Sequence, residues 1–218
     1  MDGSSKKDDS TRCCITFKSN DTVRNEYAPL SNFWPFVSDG ARRRAVAAFP
    51  NVGNGSFVID GIRFASVEHW FQANKYKHQP DVFARINRAS TAYGAKQENN
   101  RQRNMGNAVD VASWNRKRES VMMQGLNAKF EQNPDLADVL VSTGDAELRE
   151  QGLDFWCGPN GRLGRMLMQI RSEIMTKKRR VPSLVDDDTF WENPAHVAIL
   201  DEVVATAAKR PRHIHIGS

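Results

Sequence analysis

One short segment constrains the fold of this chain more than any other feature. Two runs rich in aromatic and β-branched residues, Phe57–Ile59 and Ile62–Phe64, flank the dipeptide Asp60-Gly61. Asp-Gly supplies the two positive φ angles that a type I′ turn requires. The segment therefore predicts a tight antiparallel β-hairpin.

A helix is predicted directly after this hairpin. The hydroxyl of Ser66 can cap its first turn, and Val67–Tyr76 contains good helix formers until Pro80 forces a break. Trp70 and Phe71 place aromatic side chains on different faces of this helix. A helix that is apolar on most of its faces is expected to be buried.

The other predicted elements are short and mostly helical. Apolar residues recur every three, four or seven positions over Asp110–Gln132, which predicts one long amphipathic helix. Further helices are predicted over Asp81–Ala89, from Tyr93, over Asp135–Val141 and over Leu163–Thr176, and further strands over Cys14–Phe17 and Ala146–Glu150. Ser38–Asn54, which contains glycines, a proline and three arginines, is predicted to be a mobile loop. Together these elements predict an α+β fold, a predominantly helical single domain with a small antiparallel sheet.

Length and composition set the domain organisation. With 218 residues, of which 39% are hydrophobic, the chain fits one folded domain with polar appendages. We expect a disordered tail over 1–12, a folded domain over 13–178 and an extension over 179–218 with a helix at 194–208. No long apolar run or signal-like start occurs in the sequence, so we expect a soluble protein of the cytoplasm or nucleus, with no membrane partner.

Cysteines, histidines and charges exclude several classes of function. The three cysteines and five histidines show neither a disulfide framework nor metal-ligand spacing, so neither a metal nor a cofactor is expected.

Positive charge is concentrated in Arg42–Arg44, Lys177–Arg180 and Lys209–Arg212. The positive charges of these three runs add up to more than the net charge of +5, so the rest of the chain has a net negative charge. A dedicated duplex-binding surface is therefore not predicted.

Several stretches, taken in chain order, carry a resemblance to one family. They are Ser31-Asn32-Phe33, Ser66 to Lys75 (S-V-E-H-W-F-Q-A-N-K), Trp114, Ala128-Lys129-Phe130, Thr143-Gly144, Asp154, and Leu163 to Arg171 (L-G-R-M-L-M-Q-I-R). In this order the chain resembles the NADAR and YbiA-like N-glycosidases over roughly residues 14 to 175. The resemblance implies cleavage of a glycosidic C–N bond, either of ADP-ribose on guanine or of a riboflavin-pathway intermediate.

One face of the predicted buried helix carries three polar side chains. They are the carboxylate of Glu68, the amide of Gln72 and the amine of Lys75, at positions i, i+4 and i+7. Spacing alone leaves a second interpretation open, in which Glu68 favours the helix dipole and Lys75 is a solvated surface residue. The resemblance implies that Glu68 stabilises an oxocarbenium-like state or orients water. It implies Lys75 as the nucleophile, with Lys129 in reserve, and Asp154 as a proton shuttle or sugar ligand.

Substrate binding is assigned by the same resemblance. The candidates are Ser31, Asn32, Phe33, Gln72, Trp114, Lys129 and Trp156. Trp114 and Trp156 offer flat surfaces for a base, although Trp114 also fits ordinary core packing on its helix. Asn32 suits a sugar or diphosphate, although a residue in such a turn also bonds its own backbone.

Three functions fit these residues. The first is removal of ADP-ribose from guanine in nucleic acid, preferably single-stranded. Its binding partner would be ADP-ribose or ADP-ribosylated nucleic acid, and Arg42–Arg44 would bind the phosphates of that substrate. The second is the same bond cleavage in a riboflavin precursor. The third is a non-catalytic ADP-ribose-binding module, which would not need the Glu68 and Lys75 pair. Lys177–Arg180 fits either a nuclear-localisation signal or a solvated helix end.

Overall fold

The computed structural model describes residues 13–18, 26–152, 155–159 and 161–180 of the chain. Its helices are α1 (Asp39–Ala48), α2 (Val67–Ala73), α3 (Pro80–Asn87), α4 (Ala92–Asn104), α5 (Val111–Gln132), α6 (Pro134–Ser142) and α7 (Arg162–Arg180), with 3-10 turns at Ala28–Leu30 and Asn74–Tyr76. Its strands are β1 (Cys14–Phe17), β2 (Phe57–Ile59), β3 (Ile62–Phe64) and β4 (Glu147–Glu150). The predicted α+β class with a predominance of helix is confirmed.

The hairpin and the helix after it form as predicted. Strands β2 and β3 pair antiparallel, and Asp60 and Gly61 have φ angles of 51° and 76°, as a type I′ turn requires. The Ser66 Oγ accepts a hydrogen bond from the His69 backbone N at 3.4 Å and so caps α2. Every residue of α2 is buried, as its apolar composition indicated.

Helix α5 supplies the core surface on which α2 packs. The Trp70 Nε1 of α2 donates to the Val121 carbonyl of α5 at 2.7 Å. Gly125 of α5 makes this approach possible, because a Cβ there would lie 2.6 Å from the Trp70 ring. The apolar stripe predicted for α5 is buried from Trp114 to Phe130, whereas its first member, Val111, is exposed. This buried face holds the helix that carries the candidate site residues.

A second two-stranded sheet lies apart from the hairpin. Strands β1 and β4 pair in parallel, with Cys14 opposite Glu147 and Phe17 opposite Glu150. The first turn of α7 packs closely on β4, because a Cβ on Gly164 would overlap the Leu148 carbonyl oxygen. This contact places the segment before α7 beside the edge of β4.

The prediction of a loop over Ser38–Asn54 is wrong for most of its length. Residues 39–48 form α1, whose first turn is capped by the Ser38 Oγ accepting from the Ala41 N at 3.3 Å. Ala41 and Ala45 are buried one turn apart, while Arg42 and Arg43 are exposed. Glycine and proline at the two ends outweighed the helix-forming centre of the segment in the prediction. The arginine triplet therefore lies on a regular helix.

The described elements lie in the first of two units into which the chain divides, residues 1–175, apart from the last turn of α7. The predicted tail over 1–12 and the predicted helix at 194–208 fall outside the described residues, so those boundaries stay predictions. Helix α7 continues to Arg180, beyond the predicted end at Thr176. None of the described helices is both long enough and apolar enough to cross a bilayer.

Candidate active site

A cavity of about 480 Å³ opens beside α2. Its lining brings together side chains from three parts of the chain, namely Asn32 and Phe33, then Glu68, Gln72 and Lys75, then Phe155 and Trp156. The sequence predicted all of these residues except Phe155. The structure therefore gathers the central part of the predicted site in one concave surface.

Four polar side chains in this cavity form a continuous hydrogen-bonded chain. The Asn32 Nδ2 donates to the Glu68 Oε2 at 2.7 Å, and the Gln72 Nε2 donates to the Glu68 Oε1 at 2.7 Å. The Lys75 Nζ in turn donates to the Gln72 Oε1 at 2.6 Å. We call these four residues the polar chain. It connects the carboxylate to the amine through one amide.

Local backbone geometry produces this arrangement. Helix α2 ends at Ala73 and tightens into the 3-10 turn Asn74–Tyr76. Side chains three residues apart align more closely in a 3-10 turn than in an α-helix, so Lys75 lies directly beside Gln72. The Glu68 backbone N also donates to the Asn32 carbonyl at 3.0 Å, which holds the Asn32 segment against the first turn of α2.

Burial moves the pKa values of Glu68 and Lys75 toward each other. Glu68 is 4% exposed, and burial raises the pKa of its carboxyl against the opposing effects of the Gln72 hydrogen bond and the charges of Lys75 and Lys96. Burial lowers the pKa of Lys75 to about 8 against the charge of Glu68, and the charges of Lys96 and Arg103 lower it further. At pH 7 such a lysine is neutral in roughly one molecule in ten, several hundred times more often than an unperturbed lysine.

Aromatic rings form one side of the cavity. The rings of Phe71 and Trp156 meet edge to face with centroids 5.4 Å apart. Phe155 has the guanidinium carbons of Arg118 and Arg162 at 3.7 Å and 3.8 Å from its ring centroid. Two guanidinium groups at these distances must lie on opposite faces of the ring. The two guanidinium groups hold the Phe155 ring between them, and the position of Phe155 in turn restrains the neighbouring Trp156.

Three predicted residues lie behind the cavity instead of lining it. Trp114 is 8% exposed and packs edge to face on Phe71, with centroids 4.9 Å apart. Ser31 is fully buried, and its Oγ accepts from the Phe33 N at 3.2 Å. Lys129 is also fully buried, and its Nζ donates to the Pro29 and Ser31 carbonyls at 2.6 Å and 2.9 Å. These three residues support the segment that carries Asn32 and the aromatic side. Asp154 lies outside the described residues.

The sequence did not indicate several residues of the cavity. Lys96 of α4 lines it, and so do Glu150 and Cys157, whose Sγ lies 3.5 Å from the Glu150 Oε2. Helix α4 consists of polar residues from Lys96 onward, so no pattern distinguished Lys96 from the residues that follow it. Only the packing of α4 on α2 brings Lys96 to the site.

A second cavity, of about 540 Å³, lies between the hairpin and α3. Its wall is largely apolar and includes Ile62, Phe64 and Phe83. Of the described residues that line this second cavity, Asp60 is the acidic one, and it is exposed in the turn of the hairpin. Buried ionisable groups and convergent polar atoms mark a catalytic pocket, so the chemistry favours the smaller cavity. In the described part of the chain, no three His, Cys, Asp or Glu side chains cluster as metal ligands do.

Known proteins are similar to this chain in sequence. The NADAR domain family matches residues 16–175. N-glycosidase YbiA of Shigella flexneri serotype 5b (strain 8401) is 29% identical over 168 residues, covering 72% of this chain and 92% of that protein. Riboflavin biosynthesis protein VVA0006 of Vibrio vulnificus (strain YJ016) is 32% identical over 129 residues, covering 55% of this chain and 33% of that protein.

A solved structure agrees with the family match. The NMR structure of the Escherichia coli protein YbiA superposes with a TM-score of 0.54 at 24% identity, covering 78% of this chain and 92% of that chain. At this identity the likeness shows a common fold. The NADAR domain match over residues 16–175 shows that this protein belongs to the NADAR family, as its motifs predicted.

Proposed function

We propose that this protein is an N-glycosidase that hydrolyses the C–N bond between the ribose of ADP-ribose and a guanine base in nucleic acid. The polar chain is the observation that carries the proposal. It places a buried carboxylate and an amine of lowered pKa on the wall of one cavity, beside aromatic rings that pack edge to face. This combination suits attack on an anomeric carbon whose leaving group is a flat base.

Glu68 serves the electrostatic part of the reaction. Breaking the bond between C1 and the base nitrogen leaves positive charge on C1 and the ring oxygen, and a nearby carboxylate stabilises that charge. Asn32 and Gln72 each donate to one oxygen of Glu68, so the carboxylate is held in a fixed orientation. In the buried site this preorganised charge has a larger effect than it has in water.

Lys75 serves the nucleophilic part. Its neutral amine bonds to C1 while the C1–N bond breaks, and the electron pair of that bond stays on the base nitrogen, which takes up a proton. The C1–O bond of the ribose ring then breaks, the ring oxygen takes up a proton released by the amine, and an imine forms between Lys75 and C1. Water adds to the imine carbon, the C1–Nζ bond breaks, and the free sugar leaves with the amine regenerated. Asp154 remains predicted either as the group that shuttles the proton to the base or as a ligand of the sugar hydroxyls.

The aromatic side supports recognition of the base. The Trp156 ring lines the cavity and is braced by Phe71 and Phe155, with ring centroids 5.4 Å and 5.0 Å away. A base inside a duplex cannot reach such a surface without leaving its stack. We therefore propose single-stranded nucleic acid as the preferred substrate.

A second candidate keeps the bond but changes the substrate. The relative from Vibrio vulnificus is named a riboflavin biosynthesis protein and is 32% identical over its matched region. The same polar chain would cleave a riboflavin precursor in which a heterocycle is joined to ribose phosphate. The two candidates differ in the size of the substrate that must reach the cavity.

Release of product from defined substrates tests both candidates. The wild type is incubated with a single-stranded oligonucleotide carrying ADP-ribosylated guanine and, separately, with the riboflavin precursor. We expect release of ADP-ribose from the oligonucleotide at a higher kcat/KM. Preferred cleavage of the precursor would establish the second candidate, and tight binding with no cleavage of either would establish a binding module.

Glu68→Gln sharpens this test. The substitution keeps the side-chain shape and removes the charge, so we expect kcat to fall at least about a hundredfold. Glu173→Gln on the exposed face of α7 is the matched control and should cleave at the wild-type rate. An unchanged rate in Glu68→Gln would remove Glu68 from the mechanism.

A further inference from the structure

The proposed mechanism uses neither of two lysines that line the cavity, Lys18 and Lys96. Of these, Lys96 acts electrostatically on both Glu68 and Lys75. It projects from α4, it is exposed, and it lines the same cavity as Glu68 and Lys75. Among the described residues it has no hydrogen-bond or ion-pair partner. The nearest carboxylate on its own helix, Glu98, is already engaged by Arg101 at 3.3 Å and by Gln102 at 2.6 Å.

The surroundings of Lys96 are rich in positive charge. Lys96 and Arg103 both act on Lys75 as like charges, so two cations of α4 lie within electrostatic reach of Lys75. The nearby carboxylate of Glu68 is committed to Asn32 and Gln72. Among the described residues, Glu150 is a further carboxylate that lines the cavity, and its Oε2 lies 3.5 Å from the Cys157 Sγ. Like charges held together repel, and an anionic ligand between them removes the repulsion.

We propose that Lys96 forms an anion subsite that binds a phosphate group attached to the sugar of the substrate. The inference rests on the proposed N-glycosidase function and extends it to the choice of sugar. Lys96 acts electrostatically on Glu68 and Lys75, the two residues that the proposed function places at the reacting carbon, and it lies on α4, whereas the aromatic rings that line the cavity lie on other segments. The phosphate therefore belongs to the sugar end of the substrate. A lysine ammonium binds such a group as a compact charge that donates hydrogen bonds.

Two phosphate sources fit this subsite. One is the phosphate attached to the ribose C5 in a sugar monophosphate, and the other is the more distant phosphate of the ADP-ribose diphosphate. Both present the same oxygen anions to Lys96. Comparison of ribose 5-phosphate with ADP-ribose distinguishes them, because only ADP-ribose carries the distant group.

Calorimetric titration of the full chain tests the subsite without relying on turnover. ADP-ribose and ribose 5-phosphate are titrated into the wild type, Lys96→Met and the control Lys77→Met, which removes an exposed lysine that lines the other cavity. We expect Lys96→Met to raise the Kd for ADP-ribose about tenfold or more, as loss of a charge-assisted hydrogen bond does. Lys77→Met should bind as the wild type does.

Each outcome of the titration has one meaning. Weaker binding of both ligands to Lys96→Met supports the subsite at the ribose C5 phosphate, and weaker binding of ADP-ribose alone supports it at the distant phosphate. Equal affinities in all three proteins, equal losses in both variants, or no binding of either ligand by the wild type would overturn the proposal.

The two proposals fail in different ways. Binding that depends on Lys96 in a protein that releases no base would refute the glycosidase function and leave the subsite standing. Turnover of the ADP-ribosylated oligonucleotide with an unchanged KM and Kd in Lys96→Met would refute the subsite and leave the function standing.

Discussion

Lys75 is partly buried and Lys129 is fully buried, and the two lysines share a lowered pKa in very different surroundings. Burial lowers the pKa of Lys75 to about 8 and that of Lys129 to about 7. Lys75 donates to the side chain of Gln72 on a cavity wall, whereas Lys129 is fully buried and donates to two backbone carbonyls. The larger shift therefore belongs to the lysine without access to a ligand. A lowered pKa indicates a nucleophile only where a substrate can reach the amine.

The causes of the two shifts differ as well. Burial alone lowers the pKa of Lys129. At Lys75 the charge of Glu68 opposes burial, while Lys96 and Arg103 reinforce it. The protonation of Lys75 therefore depends on charges that a bound substrate changes, and the protonation of Lys129 depends on the integrity of the core. Substitution of each lysine should separate catalysis from stability.

The largest effect is expected from Lys75→Met. Because the variant lacks the nucleophile, kcat for release of ADP-ribose should fall at least about a thousandfold. The free energy of unfolding should change by less than about 1 kcal/mol, since a partly buried ammonium is replaced by an apolar chain of similar length. Single-turnover kinetics and urea denaturation measure the two quantities. A variant that keeps the wild-type rate would place the nucleophile elsewhere.

Lys129→Met should show the opposite pattern. The Pro29 and Ser31 carbonyls lose their donor in the core, so the free energy of unfolding should fall by about 2 kcal/mol. The folded fraction should retain kcat within about tenfold of the wild type, because Lys129 supports the Asn32 segment without touching the substrate. Wild-type stability combined with a loss of turnover as large as that of Lys75→Met would abolish the distinction between the two lysines.

The pH dependence of stability sharpens the comparison further. The folded pKa of Lys129 is about 7 and its ordinary value is 10.5, so between these pH values the unfolded chain binds a proton that the folded protein does not. The cost of burying the ammonium is complete below pH 7 and disappears as the pH rises toward 10.5. Stability gained over this window should amount to at most about 1.4 kcal/mol per pH unit for this group. Denaturation at pH 7 and pH 9.5 should show a smaller gain in Lys129→Met than in the wild type. Equal gains would mean that Lys129 is charged in the folded core.

The smallest effect is expected from Gln72→Met, which breaks the polar chain and leaves both ionisable ends in place. We expect kcat to fall about tenfold, because Glu68 and Lys75 each lose one neutral hydrogen-bond partner. The Gln72 hydrogen bond lowers the pKa of Glu68, so its removal should move the acidic limb of the pH–rate profile to higher pH. A profile that keeps its acidic limb in place would assign that limb to another group.

Local signals account for the parts of the fold and site that the sequence predicted. Asp60-Gly61 specifies its turn and Ser66 caps its helix through neighbouring atoms, so the hairpin, α2 and the spacing of Glu68 and Gln72 were readable from a few residues. Helix α1 was missed because its flanking glycine and proline signals conflicted with its alanine-rich centre.

Long-range packing accounts for the rest. Lys129 meets carbonyls about a hundred positions away in the chain, and Lys96 reaches the cavity only because α4 packs on α2. Nothing in the spacing of charges along the chain distinguishes a lysine that meets core carbonyls from one that meets solvent. The sequence therefore predicted Lys129 as a residue of the site, whereas in the structure Lys129 lies behind the site and supports it.

Trapping of the covalent intermediate tests the role of Lys75 most directly. Borohydride is added to the wild type, Lys75→Met and Lys129→Met during turnover of an ADP-ribosylated oligonucleotide, and the adducts are located by peptide mass mapping. We predict that the wild type and Lys129→Met carry a reduced sugar adduct on Lys75 and that Lys75→Met carries none. An adduct on Lys129, or one that persists in Lys75→Met, would contradict the assignment.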